Sequence, residues 1–174
     1  MAVQLADDPG GPGPLIAIVG GGASGTLAAI HLLREAASRR TPLRVALIDR
    51  HGRHGLGQAY STTHPAHLLN SPAVTMSALA GDPGHLTRWA AAAGLPHDGF
   101  LPRRAYGRYL TDSLAAAERS ARPAARVSRI TADVVTIRRH SHSHSHGRAL
   151  RLHLADGRID ADAAVLATGN LPFT

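Results

Sequence analysis

The residues best suited to chemistry in this chain form a glycine-rich turn near its start. Gly20, Gly22 and Gly25 follow a short aliphatic run over residues 15–19 in the spacing G-x-G-x-x-G. In this spacing the first glycine permits a tight exit from a strand, and the third lets the following helix pack closely on that strand. The second glycine lacks the Cβ that would keep a phosphate away from the backbone. The turn therefore predicts a binding site for the diphosphate of a dinucleotide.

Two neighbouring features fit the same chemistry. A predicted helix begins near Ala23, so the N–H groups of Ala23 and Ser24 and the positive end of the helix dipole are available to an anion. Asp49 ends the next aliphatic run, 24 residues after Gly25, close to the offset of about 20 at which an acidic residue contacts the adenosine ribose. Its carboxylate can accept both ribose hydroxyls, and Arg50 beside it could contact a 2′-phosphate.

The elements around this turn predict one α/β domain of the Rossmann type, over residues 15–174, in which a parallel sheet is joined by a small antiparallel meander. Residues 1–14 are rich in Pro and Gly and are predicted to be a disordered tail. Trp89 and Tyr109 are predicted core residues. The remaining predicted elements are a helix from 23 that ends at 41–42, a strand over 43–49, a long segment that forms a cofactor or substrate wall, helices over about 82–93 and 103–122, meander strands over 129–138, 149–154 and 159–162, and a buried strand over 163–167.

The composition restricts the chemistry that the chain can supply. Its 174 residues are enough for one domain with a substantial core. The sequence contains no Cys, which excludes disulfides, thiolate-bound metals and a redox-active cysteine pair. Any redox chemistry must therefore belong to a bound cofactor.

The charge of the chain gives little support to a nucleic-acid or membrane partner. The formal charge of +7 comes from Arg alone, and aromatic residues are only 3%, whereas nucleic-acid binding surfaces combine a basic stripe with aromatics. Residues 15–33 carry no formal charge, but three consecutive glycines and His31 interrupt them. The segment before them contains Asp7 and Asp8 where a signal peptide needs basic residues. We therefore expect a cytoplasmic protein with no nucleic acid and no membrane as partners.

Four histidines alternate with serines from His140 to His146. An extended backbone would place the four imidazoles on one face, where nickel or zinc could bind adventitiously. No second set of residues that would orient the imidazoles is apparent, so a hydrophilic turn is the preferred interpretation. We assign no metal site.

Four later segments, together with the turn, resemble one known family. They stand in the order G-L-G-Q-A-Y over 55–60, H-L-L-N over 67–70, P-R-R-A-Y-G-R-Y-L over 102–110 and A-T-G-N-L-P over 167–172. This pattern is similar to the FAD/NAD(P)-binding proteins of the glutathione-reductase-like flavoprotein superfamily, and the match covers residues 15 to 172. The resemblance implies an FAD-dependent oxidoreductase, in some members a hydroxylase, in which NAD(P)H delivers hydride to the flavin.

The resemblance also assigns roles to particular residues. It implies that the three glycines of the turn bind the FAD pyrophosphate, that Gly57 and Gln58 line the flavin side, and that Thr168 and Gly169 turn the chain beside the cofactor. For His67 and Asn70 it leaves open a functional role or loop-stabilising hydrogen bonds, and Arg103 could face a phosphate or solvent. The complete set of predicted cofactor-binding residues is Gly20, Gly22, Ala23, Ser24, Gly25, Asp49, Arg50, Gly57, Gln58, Thr168 and Gly169.

The chain departs from the family in its length. Superfamily members continue well beyond the A-T-G motif, but this sequence ends at Thr174. We expect a C-terminally incomplete domain whose missing half or partner chain would carry the substrate site. No catalytic residue and no particular small-molecule substrate is assigned. Two alternatives stay open: an NAD(P)-only reductase domain, and a catalytically inactive truncated remnant or subunit.

Overall fold

A computed structural model describes residues 11–96, 98–139 and 149–169 of the chain. The predicted fold class is confirmed: a parallel sheet carries helices on one face and a small antiparallel sheet on the other. The strands are β1 (Leu15–Val19), β2 (Leu43–Asp49), β3 (Ala125–Thr131), β4 (Val134–Arg139), β5 (Leu150–Leu154), β6 (Gly157–Ala161) and β7 (Ala163–Leu166), and the helices are α1 (Ala23–Arg39), α2 (Gly57–Tyr60), α3 (His85–Ala92) and α4 (Arg103–Ala121), with a 3₁₀ turn over Ala73–Thr75.

The parallel sheet has the strand order β3-β2-β1-β7. The connection from β1 through α1 to β2 is the βαβ unit that the sequence predicts. Ile30 and Leu33 of α1 and Leu114 of α4 pack on Val45 and other apolar residues of the sheet. Each such side chain, fully buried, contributes roughly 1.5–3 kcal/mol relative to exposure to water. The two longest helices therefore cover one face of the parallel sheet.

The antiparallel sheet, in the order β4-β5-β6, covers the opposite face of the parallel sheet. Leu152 and Ile159 from this sheet pack in one cluster with Ala17 and Ile48 from β1 and β2. The connection between β3 and β7 therefore runs through a three-stranded sheet, so that the central strands are covered on both faces, as parallel sheets usually are.

Two predicted strands differ from the structure. The predicted meander strand over 129–138 is divided at residues 132–133: its first part belongs to β3, which pairs parallel to β2, and only β4 belongs to the meander. Among the described residues β3 lies at the edge of the parallel sheet, and its residues alternate between buried and exposed. A half-exposed strand of a meander has the same alternation, so the sequence pattern does not distinguish the two. The predicted buried strand over 163–167 is an edge strand among the described residues, with Leu166 70% exposed.

Other predictions have mixed outcomes. Tyr109 is fully buried and Trp89 is partly buried beside it. Residues 1–10 and the histidine run 140–146 lie outside the described residues. The last residues of the predicted tail are in contact with β2, because Arg44 donates its backbone N–H to Pro14 O and its Nε to Gly13 O.

Over the described ranges, no helix is long and apolar enough to cross a membrane. The same ranges contain no cluster of three or more residues suited to hold a metal.

Tyr109 ties the long segment after β2 to α4. Its hydroxyl accepts a hydrogen bond from the Ala78 N–H (2.8 Å) and pairs with Nδ1 of His85 (2.7 Å). Burial lowers the pKa of His85, so its neutral imidazole can accept the hydroxyl proton while the hydroxyl oxygen accepts from Ala78. The segment is therefore held by polar contacts as well as by the ring packing of Tyr109 on Trp89.

We expect Tyr109→Phe to lower the free energy of unfolding by about 1–3 kcal/mol, because the buried Ala78 N–H would lose its acceptor. Urea denaturation followed by circular dichroism measures the change. Tyr60→Phe is the matched control, since the Tyr60 hydroxyl has no hydrogen-bond partner in the part of the chain that the structure describes. Equal stability of the two variants would contradict the anchoring role of Tyr109.

Candidate functional site

The glycine turn begins where β1 ends, and it is built around a close passage of two backbone segments. Gly20 has φ +108°, and its N–H donates to Ile48 O (2.8 Å). A Cβ at Gly20 would lie 2.1 Å from Ala167 O and 3.1 Å from the Thr168 nitrogen. The structure thus brings the predicted Thr168 beside the turn. Gly169 follows with φ +73°, and a Cβ on it would meet no atom within 4 Å beyond its chain neighbours.

Gly25 sets how closely α1 lies to β1. A Cβ on this residue would stand 1.9 Å from Gly20 O, well inside any allowed contact. Thr26 closes the turn from the helix side, since its N–H donates to Gly22 O (2.9 Å) and its Oγ1 donates to Gly21 O (3.2 Å). Thr26 is absent from the site predicted from the sequence, because its role follows from its burial, which obliges its polar groups to find such partners.

Gly22 and Gly57 face each other across the turn. Gly22 has an ordinary φ of −70°, and a Cβ on it would meet only the Gly57 Cα, at 3.6 Å. Gly57 has φ +52°, and its own Cβ would lie 2.9 Å from the Gly22 Cα. Gly55 donates its N–H to Gly21 O (2.8 Å) on the same side. The segment that begins α2 therefore packs along the glycine turn, with Gln58 near its start.

The N-terminus of α1 fits the diphosphate that the sequence predicts. Over the residues described, no side chain caps this helix, and its first turn contains no acidic residue. Ser24 is exposed and Ala23 is half-buried, so their N–H groups can reach an anion outside the turn. Such an arrangement stabilises a negative charge by about 0.3–1 kcal/mol, and by up to about 2 kcal/mol when it is partly buried. Gly22 places no side chain beside these N–H groups, and the Gly57 backbone lies across the turn from it.

Asp49 points at the glycine turn from the end of β2. Its Oδ2 accepts the Gly21 N–H (3.2 Å), and its Oδ1 accepts the N–H groups of His51 and Arg53 (2.9 Å each). Burial raises the pKa of Asp49, but the three N–H groups and the nearby His54 lower it more, so the net pKa lies below its ordinary value. The side chain is therefore an ionised carboxylate whose main contacts are already within the protein.

These contacts limit what Asp49 can offer to a ribose. A carboxylate has about four acceptor positions, and three of them are used by backbone N–H groups. One position remains, so a ribose that donates both hydroxyls to Asp49 has to compete with the loop contacts after β2 for the same oxygens.

The side chains next to Asp49 are also engaged. Arg50 donates from Nε and Nη2 to Oδ1 of Asp133 (3.2 and 3.0 Å), so a 2′-phosphate would have to compete with this exposed ion pair. His54, which the sequence analysis missed, places Nε2 between Leu47 O (3.1 Å) and Ile130 O (3.3 Å), where its N–H donates to both carbonyls. His54 thereby links the loop after β2 to the backbone of β2 and β3 beside the glycine turn.

The fold and the turn define a class of protein. A βαβ unit with a glycine turn, an uncapped helix start and an acidic residue at the end of β2 is a dinucleotide-binding domain. Residues 17–171 match the model of the FAD-NAD(P)-binding family. The chain belongs to this family, which confirms the predicted resemblance. A search among curated proteins found no match.

Comparison with solved structures supports the same fold. The lysine monooxygenase NbtG from Nocardia farcinica is 15% identical, with a TM-score of 0.51 over 87% of this chain and 53% of that one. The Diels-Alderase PyrE3 of pyrroindomycin biosynthesis is 14% identical, with a TM-score of 0.50 over 90% of this chain and 32% of that one. The chain thus spans from about a third to about half of the length of these two proteins. At such low identity the similarity shows the fold alone.

Proposed function

We propose that this chain binds FAD as the dinucleotide-binding domain of an NAD(P)H-dependent flavin oxidoreductase of the hydroxylase type. The observation that carries the proposal is the start of α1, where no side chain of the described residues caps the N–H groups and Gly22 places no side chain beside them. The pyrophosphate would be bound by the N–H groups of Ala23 and Ser24. The ribose would donate one hydroxyl to Asp49, and Thr168 would border the cofactor beside Gly20.

The chain contributes binding and orientation, whereas the flavin supplies the redox chemistry. Bound FAD can accept hydride from NAD(P)H and pass the electrons to oxygen or another acceptor. This division fits a sequence without cysteine, which has no thiol pair of its own to oxidise. The ion pair between Arg50 and Asp133 disfavours NADP, because a ribose 2′-phosphate would have to compete with Asp133 for Arg50, whereas FAD and NAD carry no such phosphate.

The proposal extends to the parts of the reaction that the dinucleotide domain does not carry. We propose that a C-terminal half or a partner chain provides the small-molecule substrate site, in line with the share of each solved structure that the chain spans. A cytoplasmic location belongs to the same proposal, because the flavin would take its electrons from NAD(P)H.

Titration of the purified chain with FAD, followed by quenching of flavin fluorescence, tests the proposal. We expect saturable binding, and a dissociation constant at least about tenfold higher for Gly22→Ala, because a Cβ at the second glycine of this motif keeps a phosphate away from the backbone. The fold tolerates this change, since φ is −70° and the nearest atom is 3.6 Å away. Circular dichroism checks that the variant is folded.

Gly81→Ala is the matched control, because its Cβ would meet no atom within 4 Å. Equal FAD affinity of Gly22→Ala and the parent, or no saturable binding by the parent, would overturn the proposal. Saturable binding of NADPH that is tighter than that of FAD would instead support an NAD(P)-only reductase domain. FAD binding without NADPH oxidation would support an inactive remnant or subunit.

A further inference from the structure

An open pocket of about 380 Å³ lies at the start of α4 and is lined by Ala66, His67, Leu68 and Arg103. Its walls come from the segment around Leu68 and the start of α4, which are joined by backbone hydrogen bonds. The Arg103 N–H donates to His67 O (2.7 Å), and the Leu69 N–H donates to Leu101 O (2.8 Å). Leu68 and Pro102 form an antiparallel bridge between these bonds. The pocket is therefore built on paired backbone.

The Arg103 side chain is positioned to present its two terminal nitrogens. Its Nε donates to Leu68 O (3.0 Å), which fixes the direction of the guanidinium group. Across the described ranges, Nη1 and Nη2 have no partner and Arg103 makes no ion pair. Among the residues that the structure describes, no acidic side chain lines the pocket. A planar guanidinium with two free nitrogens binds the paired oxygens of a carboxylate or phosphate through two parallel hydrogen bonds.

The other wall of the pocket combines a second polar group with apolar surface. His67 pairs its Nδ1 with Oγ1 of Thr62 (2.7 Å), which leaves its Nε2 without a partner in the structure as described. Leu68 is 48% exposed although it is a large apolar residue. Two nitrogen groups for an anion and an apolar wall beside them match a ligand that has a charged end and an apolar body.

We propose that this pocket binds the carboxylate of a small organic acid, with the acid group on Arg103 and His67 and the apolar body against Leu68. Only the identification of this acid as the substrate of the oxidoreductase rests on the proposed function. Binding itself requires the pocket alone. An organic phosphate offers the same oxyanion chemistry, and a comparison of matched ligands separates the two.

Isothermal titration of the full chain with 4-phenylbutyrate, with and without FAD, tests the proposal. Phenyl phosphate, inorganic phosphate and the neutral 4-phenylbutanamide serve as comparison ligands. We expect saturable binding of 4-phenylbutyrate that is at least tenfold tighter than that of the neutral amide and of inorganic phosphate. Tighter binding of phenyl phosphate than of 4-phenylbutyrate would overturn the choice of a carboxylate.

One pair of variants and a third variant locate the site. We expect Arg103→Gln to weaken binding of 4-phenylbutyrate about tenfold, and Arg104→Gln, an exposed neighbour in the same helical turn, to leave it within twofold of the parent. Leu68→Ser keeps the carbonyl that positions Arg103 and is expected to weaken 4-phenylbutyrate but not acetate. The Leu68→Ser variant tests the proposal even where Arg103→Gln disturbs the local fold.

Each contrary result has a distinct meaning. The absence of saturable binding, or an equal loss in Arg103→Gln and Arg104→Gln, would overturn the proposal. An equal loss of FAD and of 4-phenylbutyrate in Arg103→Gln would assign the pocket to the dinucleotide and would also overturn it. A chain that binds 4-phenylbutyrate through Arg103 but does not bind FAD would retain this inference and reject the proposed function.

Discussion

Gly25→Ala is expected to abolish saturable FAD binding and to lower the free energy of unfolding by about 3 kcal/mol, the upper end of the usual cost of overpacking. The Cβ would lie 1.9 Å from Gly20 O and 3.2 Å from Cγ2 of Ile18. The nearest obstacle is backbone, which cannot rotate away as the end of a side chain can. The start of α1 would have to move away from β1, and the N–H groups that the phosphate needs would move with it.

Urea denaturation measures the stability of Gly25→Ala, and FAD fluorescence measures its binding. Gly81→Ala carries the same chemical change in open space and is expected to be neutral or slightly stabilising, by up to about 1 kcal/mol. A loss of less than about 0.5 kcal/mol in Gly25→Ala would show that α1 does not depend on this close approach.

Asp49→Asn is expected to lower the free energy of unfolding by about 2 kcal/mol at neutral pH and to weaken FAD binding. Three backbone N–H groups donate to the carboxylate. Hydrogen bonds to a charged group contribute roughly 1.5–3 kcal/mol each when buried, and the partial exposure of Asp49 reduces this value. The amide would also turn an N–H₂ group toward at least one of the donors, so the loop after β2 would lose its fixed form.

The pH dependence of the unfolding free energy, compared between the parent and Asp49→Asn, gives a second measurement. Because the folded protein lowers the pKa of Asp49 below its ordinary value of 3.8, the stabilisation is complete above pH 3.8 and is lost as the pH falls through the lowered pKa. The difference in unfolding free energy between the parent and Asp49→Asn should therefore shrink in that acidic range. Asp98→Asn, at an exposed position, is the control. A difference that stays constant to about pH 2 would contradict this account.

The sequence predicts best where one short segment contains its own physical constraints. The positions of Gly20 and Gly25 are correctly predicted, because both constraints lie within six residues. Gly20 has a positive φ, and Gly25 lies too close to Gly20 O to carry a Cβ. The helix after Pro102 is also correctly predicted, since proline favours the start of a helix and stops it from extending backward. Such local rules do not need knowledge of distant contacts.

Predictions that depend on distant partners succeed less well. Arg50 pairs with Asp133, 83 positions away, and nothing near Arg50 in the sequence indicates that partner. The approach of Gly57 to Gly22 likewise requires two separate segments to meet. The residue pattern places β3 in the wrong sheet, because an edge strand alternates apolar and polar residues in either position. The roles of the predicted cofactor-binding residues stay predictions until the titrations above are made.

The passage of Ala167 over Gly20 has a consequence for biosynthesis. Ala167 donates its N–H to Val19 O, and the Asp162 side chain accepts the Leu15 N–H. Both ends of β1 are therefore hydrogen-bonded to residues at the two ends of β7, the last strand of the described chain. Domains are synthesised from the N-terminus, and the glycine motif therefore leaves the ribosome long before its covering segment exists. Because the proposed site includes Thr168, we expect a nascent chain to load its cofactor only after that segment has been translated.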